Sequence, residues 1–373
     1  MGRASWVRGS GVTRQENQSA KNRQGIAGAR AEVLALNTMF EPTPQEPTKV
    51  PRILGYGLAI FCLIWVLHDF QIMKALRELE NVDYRWVLAG MGFDILSYVV
   101  QALRWKFLLS PFGKVRITSA VRSVYAGLFA NLVFPLRPGE LLRSYLLSTS
   151  EDIGIGRVLG SVGVERLIDL VIAVASLAIA SLLVDLPRQF RRVVDTLGIV
   201  TLVLLGIVVL LILYLEMKLG DKEVFEGRKA RLTGKFMGAL VGLHAMGTSP
   251  SFYSAVLLSV LMPGCQVLGL WAMMRGYGLH LSFFAALVVL LVINLGVSLP
   301  NAPANIGAYQ FFCVLGLSVF NIEKTTATGF SIFAFLALNF PFVFLGFAAL
   351  VRSGLSMKTM RERVSHLPSE VRR

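Results

Sequence analysis

Over 373 residues the chain is 54% hydrophobic and only 16% charged, with a mean hydropathy of +0.62, which excludes an ordinary water-soluble domain. A net charge of +14 would point to nucleic acid in a soluble protein. Here the basic residues flank hydrophobic runs, where they orient membrane helices and meet anionic lipid, so nucleic-acid binding is discounted. The three cysteines, Cys62, Cys265 and Cys313, lie in apolar runs without ligand spacing, which argues against a disulfide framework and a zinc site.

Residues 1–52 are polar and end in a Pro-rich stretch, so they read as a disordered cytoplasmic tail. No apolar run lies near the start to serve as a signal peptide, and Met39 offers an alternative start. Residues 53–351 form the transmembrane domain, and 352–373 a short basic cytoplasmic tail. Hydrophobic segments fall at about 53–67, 87–109, 123–147, 158–184, 196–216, 252–274, 283–320 and 327–351. Most reach the ~20 residues that a helix needs to cross a bilayer.

The third segment does not. Asn131 to Arg143 contains Pro135 and Pro138 together with Arg137, Glu140 and Arg143. Proline removes a backbone donor and fixes φ, so the pair ends one helix and Pro138 opens the next. Val121 to Phe134 would extend only ~21 Å at helical rise against a hydrocarbon core of ~30 Å, so the segment dips in and returns. A break of this kind belongs beside a wet cavity or inside a bundle, where freed backbone groups find partners. The pattern recurs at Pro300, Asn301 and Pro303, followed by Asn305, Tyr309 and Gln310, 165 positions from Pro135 to Pro300. Either these are two independent bends, or they mark an inverted repeat with a binding site between its halves. The stretch 283–320 fits a dipping hairpin or two full crossings, and both return the chain to the side it left.

Basic residues test the orientation. With the N-terminus inside, the cytoplasmic segments hold 26 Lys or Arg and the outer segments eight. This predicts an all-α membrane protein of about six full spans plus two broken or re-entrant hairpins, with both termini cytoplasmic in the inner membrane. The two hairpins then enter from opposite sides.

Three basic residues remain outside that count: Arg137, Arg143 and Arg166. Arg166 sits in the fourth apolar segment with Glu165 and Asp169, four apart on one helix face. Charges at that depth cost ~3 kcal/mol each unless paired, so they face the interior or snorkel from helix ends. Glu140 and Arg143, three apart, are spaced to pair. One Arg cannot neutralise two carboxylates, which makes Arg137 and Arg143 the expected partners of the surplus acid. A helix opening at Pro138 aims unsatisfied N–H groups at the break beside Arg137, which suits an anion, and within lipid a phosphate-bearing amphiphile. Candidate substrate contacts are therefore Asn131, Arg137, Glu140, Arg143, Glu165, Arg166 and Asp169, with Asn301, Asn305 and Gln310 from the second break. For Asn305, Tyr309 and Gln310, interhelical hydrogen bonding explains the residue types equally well.

Arg104-Trp105, Asn131 to Arg143, Glu165-Arg166 with Asp169, and Pro300 to Gly307, in that order, resemble the flippase-like integral membrane family that includes the transmembrane half of lysylphosphatidylglycerol synthases. The resemblance covers about 53–351. It implies movement of an anionic phospholipid or lipid-linked headgroup across the membrane. The sequence ends at Arg373 without a soluble aminoacyl-transferring domain, so it implies no lipid synthesis by this polypeptide alone. The alternative is an integral membrane transferase acting on a polyprenyl-phosphate or phospholipid. Against it, the histidines are scattered and no Asp-rich metal cluster or Gly-rich nucleotide loop occurs, although Glu140, Glu165 and Asp169 are able to bind a divalent metal. No catalytic residue, metal or cofactor is expected. The expected partners are an anionic membrane lipid and either a second copy or a separate lipid-modifying enzyme.

The charge count makes a direct prediction. A single cysteine placed at position 77 should react with an impermeant thiol reagent added outside intact cells, and one at 114 should not. Labelling at 114 but not at 77 would invert the topology.

Overall fold

The computed structural model describes residues 50–68, 70–134, 138–183, 250–298 and 302–353, with isolated positions between 191 and 206, all within the compact unit Lys49–Val364. Among the described residues every element is helical. In chain order these are α1 (Val50–Leu67), α2 (Ile72–Glu80), α3 (Tyr84–Leu109), α4 (Ile117–Val133) and α5 (Gly139–Glu151). They continue as α6 (Ile155–Leu183), α7 (Pro250–Gly276), α8 (Phe283–Val297), α9 (Ala308–Ser318) and α10 (Lys324–Arg352). The expected tail 1–52 and the basic tail from 354 onward lie outside the described residues, apart from the first turn of α1.

Four helices, α3, α6, α7 and α10, are long and apolar enough to cross a membrane, and α1 with α2 makes a fifth if that pair, bent by 78°, is one span. Among the described residues the count is thus four or five, and about six is not confirmed. Segment 196–216 lies largely outside the described residues. α2 is amphipathic: Ile72, Met73 and Leu76 are exposed, while Glu78 accepts hydrogen bonds from Tyr277 (3.0 Å) and Thr326 (2.7 Å). Lys74 pairs with Glu323 on the same side.

Between the long helices lie two pairs of short ones. α4 has 17 residues and α8 has 15, about 25 and 22 Å of helix, too short to cross a core of ~30 Å. The stretch 283–320 is thus a hairpin and not two crossings. Each long-short-short-long run is one repeat, and the runs begin at Tyr84 and Pro250, 166 positions apart, close to the proline spacing read from sequence.

The first helices of the two runs, α3 and α7, pack along most of their length and antiparallel. The Asp83 N–H donates to the Gly276 carbonyl (2.9 Å) at one end, and Ser110 meets Ser251 (2.6 Å) at the other. Between them Gly90 faces Gly269, so closely that a Cβ on Gly90 would lie 2.8 Å from the Gly269 carbonyl oxygen. An antiparallel pair of equivalent helices makes the repeat an inverted one. The last helix of each run packs on the hairpin of the other, α10 against α4 and α6 against α8.

Both hairpins depend on glycine. A Cβ on Gly139 would lie 2.0 Å from the Gly127 carbonyl oxygen and 2.6 Å from Asn131 Oδ1, so α4 and α5 meet backbone to backbone. In the second hairpin the chain turns through positive φ at Ala304, Asn305 and Gly307, and a Cβ on Gly307 would lie 2.5 Å from the Ala59 carbonyl oxygen of α1. The turn Pro303–Asn305 packs against α4, which brings the two hairpins together. Cys62, Cys265 and Cys313 are buried free thiols.

Beside the hairpin, Arg116 pairs with Glu151 (3.0 Å) at the end of α5. Burial alone would push the Glu151 carboxyl up, but hydrogen bonds from Ser119 and Arg116 outweigh it and hold the group below the ordinary carboxylate range.

Gly139→Ala should lower the thermal unfolding temperature of the detergent-solubilised protein, since overpacking costs about 1–3 kcal/mol and here the obstacle is backbone. Gly163→Ala, whose added Cβ meets nothing within 4 Å, should not. Equal melting temperatures for the two variants would show that α4 and α5 are not in this contact.

Candidate functional site

The break that opens α5 is held from α4. Asn131, in the last turn of α4, accepts the Gly139 N–H on its Oδ1 (2.8 Å), which satisfies one of the donors a helix start leaves free. Pro138 is the cap residue, and its carbonyl receives the N–H groups of Leu141 and Leu142 (3.1 and 3.0 Å). Pro135, Arg137, Pro300 and Asn301 lie outside the described residues; Pro303 opens the short turn at the second break.

One turn into α5, Arg143 points into the bundle. It is 4% exposed and its Nη2 donates to Glu165 Oε2 at 2.5 Å. The other carboxylate oxygen of Glu165 accepts from Arg104 Nη2 at 3.1 Å. Arg104 and Glu165 are both fully buried. Arg104 also pairs with Asp169, one turn further along α6 (2.5 Å), and reaches Ser259 on α7 (3.3 Å). At the edge of the cluster Arg166 pairs with Glu140 and lies 3.7 Å from Asp169. Three arginines face three carboxylates, so the cluster is neutral in total and ties α3, α5, α6 and α7 together.

This arrangement meets the expectation that the acids of α6 find a cation across the bundle, and it corrects two details. Arg143 pairs with Glu165, and the expected intrahelical partner, Glu140, pairs with Arg166. The second cation for the acids is Arg104, which the charge count had placed in a cytoplasmic loop, whereas α3 continues to Leu109 and buries it. The signal was available, since Arg104 falls inside the apolar run 87–109. Both readings of the charges hold for different members: the Arg143–Glu165–Arg104 chain is interior, while the side chains of Arg166 and Glu140 are 52% and 41% exposed.

Trp105 completes the site from α3. The Arg143 guanidinium stacks over its ring, 4.7 Å from the centroid, and the indole N–H donates to Ser161 (2.8 Å). With one nitrogen on Glu165 and a face on Trp105, the guanidinium is fixed in place. Its Nε and Nη1 are buried and have no hydrogen-bond partner among the described residues.

The second hairpin contributes differently. The Gln310 Oε1 accepts the Gly307 N–H (2.8 Å) and so caps its own helix, while the Asn305 Oδ1 and the Tyr309 hydroxyl are buried without a partner among the described residues. Among the described residues no hydrogen bond or ion pair joins Asn305 or Gln310 to the arginine cluster. The oxygens of Glu140, Glu165 and Asp169 face guanidinium groups, and among the described residues no group of three His, Cys, Asp or Glu is arranged to hold a metal ion.

Comparison with known proteins gives the same class. The family described as "Lysylphosphatidylglycerol synthase TM region" matches residues 52–346. A UPF0104 membrane protein of Methanothermobacter thermautotrophicus is 22% identical over 291 residues, 72% of this chain and 85% of the relative. UPF0104 membrane protein MJ1595 of Methanocaldococcus jannaschii is 23% identical over 298 residues, 74% of this chain and 88% of the relative. The glycosyltransferase AglD of Haloferax volcanii is 23% identical over 154 residues, 41% of this chain and 24% of the relative. The protein is a multi-pass membrane protein of the flippase or transferase kind.

Removing the shared carboxylate should destabilise the bundle. Glu165→Gln leaves two buried arginines short of charge, a loss of about 3–5 kcal/mol, whereas Arg166→Gln at the exposed edge should cost about 1 kcal/mol or less. Thermal unfolding of the two variants in detergent measures the difference, and equal losses would mean that the inner ion pairs are not formed.

Proposed function

This chain belongs to the lysylphosphatidylglycerol synthase TM region family, and we propose that it translocates an anionic phospholipid or lipid-linked headgroup across the cytoplasmic membrane without altering it, with both termini in the cytoplasm. The observation that supports this reading is Arg143, a buried guanidinium fixed by Glu165 and Trp105 with N–H donors left over, beside the break between α4 and α5. A phosphate oxygen is the natural acceptor for such donors. Charge-assisted hydrogen bonds of this type are about twice as strong as neutral ones, and the start of α5 adds the positive end of its dipole.

The inverted repeat supports the movement. Two packed hairpins that enter from opposite sides let the site open to one face or the other by rocking one repeat against its mate. Acyl or isoprenoid chains would stay in the bilayer beside the exposed apolar faces while only the headgroup enters. Arg137 and Asn301, each between the two prolines of its break in the sequence, would be further headgroup contacts. A second copy of the chain or a separate lipid-modifying enzyme would act alongside it. The partial match to a glycosyltransferase favours one other reading, a transferase acting on a lipid phosphate, and product analysis separates the two.

In proteoliposomes of phosphatidylcholine carrying fluorescent phosphatidylglycerol, dithionite quenching should report protein-dependent exchange between leaflets. Arg143→Lys keeps a cation for Glu165 but loses the planar set of donors, so the rate should fall about tenfold or more with the protein still folded. An unchanged rate in Arg143→Lys would place phosphate recognition elsewhere, and a chemically modified lipid by mass spectrometry would favour the transferase.

A further inference from the structure

Ten residues before Arg104 on the same helix lies a carboxyl that the arginine cluster does not reach. Asp94 is about 15 Å along α3 from Tyr84 and about 15 Å from Arg104, which puts it near the middle of the span. Its side chain starts towards α7: a Cβ built on Gly269 would be 3.7 Å from the Asp94 Cβ. Every other acid in the four long helices is paired, Glu165 and Asp169 with arginines. Among the described residues Asp94 has no ion pair and no hydrogen bond to its carboxylate.

Among the described residues, the groups around Asp94 supply no positive charge. From α4 comes Tyr125, within electrostatic range, with its proton committed to the Ile95 carbonyl (3.0 Å). From α9 comes Tyr309, also within range of Asp94 and of Tyr98, with Cys313 one turn further on. The Tyr309 hydroxyl is buried without a partner among the described residues, and its ring rests on Phe335 of α10 (5.3 Å). α7 offers Cys265 one turn from Gly269, and α10 offers Phe342 against Tyr98 and Tyr125. Asp94 thus sits where the first helix of one repeat meets the hairpin of the other, among hydroxyls, thiols and apolar side chains.

An unpaired charge at the centre of a span is costly, and acids kept there mark substrate or ion pathways and proton relays. We propose that Asp94 is a proton-binding site that couples the protein to a transmembrane proton gradient, a role that rests on the translocation reading above. The step is a simple one. The carboxylate takes one proton from the more acidic side, becomes neutral, and gives that proton to the other side when the repeats rock. A proton moving with a singly charged phosphate lipid makes the transfer electroneutral. The Tyr309 hydroxyl, within electrostatic range of Asp94 and without a hydrogen-bond partner among the described residues, is the group that would turn towards the carboxylate form and leave it on protonation.

Two measurements on the full-length protein decide this. The first is infrared difference spectroscopy across a pH titration, which reads a buried protonated carboxyl directly. Its band should be present in the unmodified protein, absent in Asp94→Asn and kept in Arg143→Gln. The second uses the fluorescent phosphatidylglycerol vesicles with and without an imposed pH gradient. The gradient should speed exchange several-fold in the unmodified protein and have no effect in Asp94→Asn, with Asp94→Glu restoring the response. Loss of the band in Asp94→Asn with no lipid exchange by any variant would sink translocation while leaving the proton site standing. Exchange that responds equally to the gradient in Asp94→Asn, or a titrating band that survives that substitution, overturns the inference.

Discussion

The structure turns on one carboxylate. Glu165 is fully buried in α6 and divides its two oxygens between Arg104 of α3 and Arg143 of α5. In hydrocarbon none of these three charges is tolerable alone, so the position of each is conditional on the other two. The long helix α3, the broken helix α5 and the long helix α6 are held in register by that condition. Asp169 and Ser259 extend it to α7, the first helix of the second repeat. Apolar packing within a bilayer gives little preference for one helix arrangement over another, because lipid tails are as apolar as leucine. Shared ion pairs and close glycine contacts supply the specificity instead.

Those contacts are distributed in the same way in both repeats. Gly127 with Gly139 closes the first hairpin, Gly296 against Phe312 the second, and Gly90 with Gly269 lets the two leading helices touch along the axis between the repeats. Each lets backbones or rings approach to a distance that a Cβ would prevent. The inverted arrangement follows from the antiparallel packing of α3 and α7, since equivalent helices that run in opposite directions carry their hairpins in from opposite faces. The site at Arg143 belongs to the first hairpin, and the unpartnered Asn305 and Tyr309 belong to the second. The two hairpins are therefore alike in fold and unlike in chemistry, with guanidinium N–H groups left over on one and an amide oxygen and a phenol hydroxyl on the other.

Much of this was legible in the amino-acid order. Hydropathy and length give a helical membrane protein, because each span must satisfy its own backbone hydrogen bonds and so needs ~20 apolar residues in a row. The prolines at 135, 138, 300 and 303 mark both breaks and their spacing marks the repeat, since proline acts locally on φ and on the donor it lacks. The spacing of Glu165 and Asp169 places both on one face by helical geometry alone, and their surplus charge requires a cation from another helix. Family membership over residues 52–346 was likewise carried by motifs visible in sequence.

What the sequence left open depended on distances between helices far apart in the chain. The apolar run 87–109 puts Arg104 inside a span, but only the position of α6 beside α3 makes it the partner of Glu165 and Asp169 and removes it from the count of cytoplasmic charges. Glu140 and Arg143 are spaced to pair with each other, yet both find nearer partners on α6, because the angle between α5 and α6 decides which side chains meet. Gln310 carries the same chemistry as a substrate contact and as a helix cap, and the turn at Gly307 makes it a cap. Asp94 is one acid in an apolar run until the neighbours are in place, and it is their lack of positive charge that sets it apart. Sequence determined which segments enter the membrane and where they break. Tertiary structure decided which charges are paired, since ion pairing in a bilayer is settled by geometry across helices and not by spacing within one.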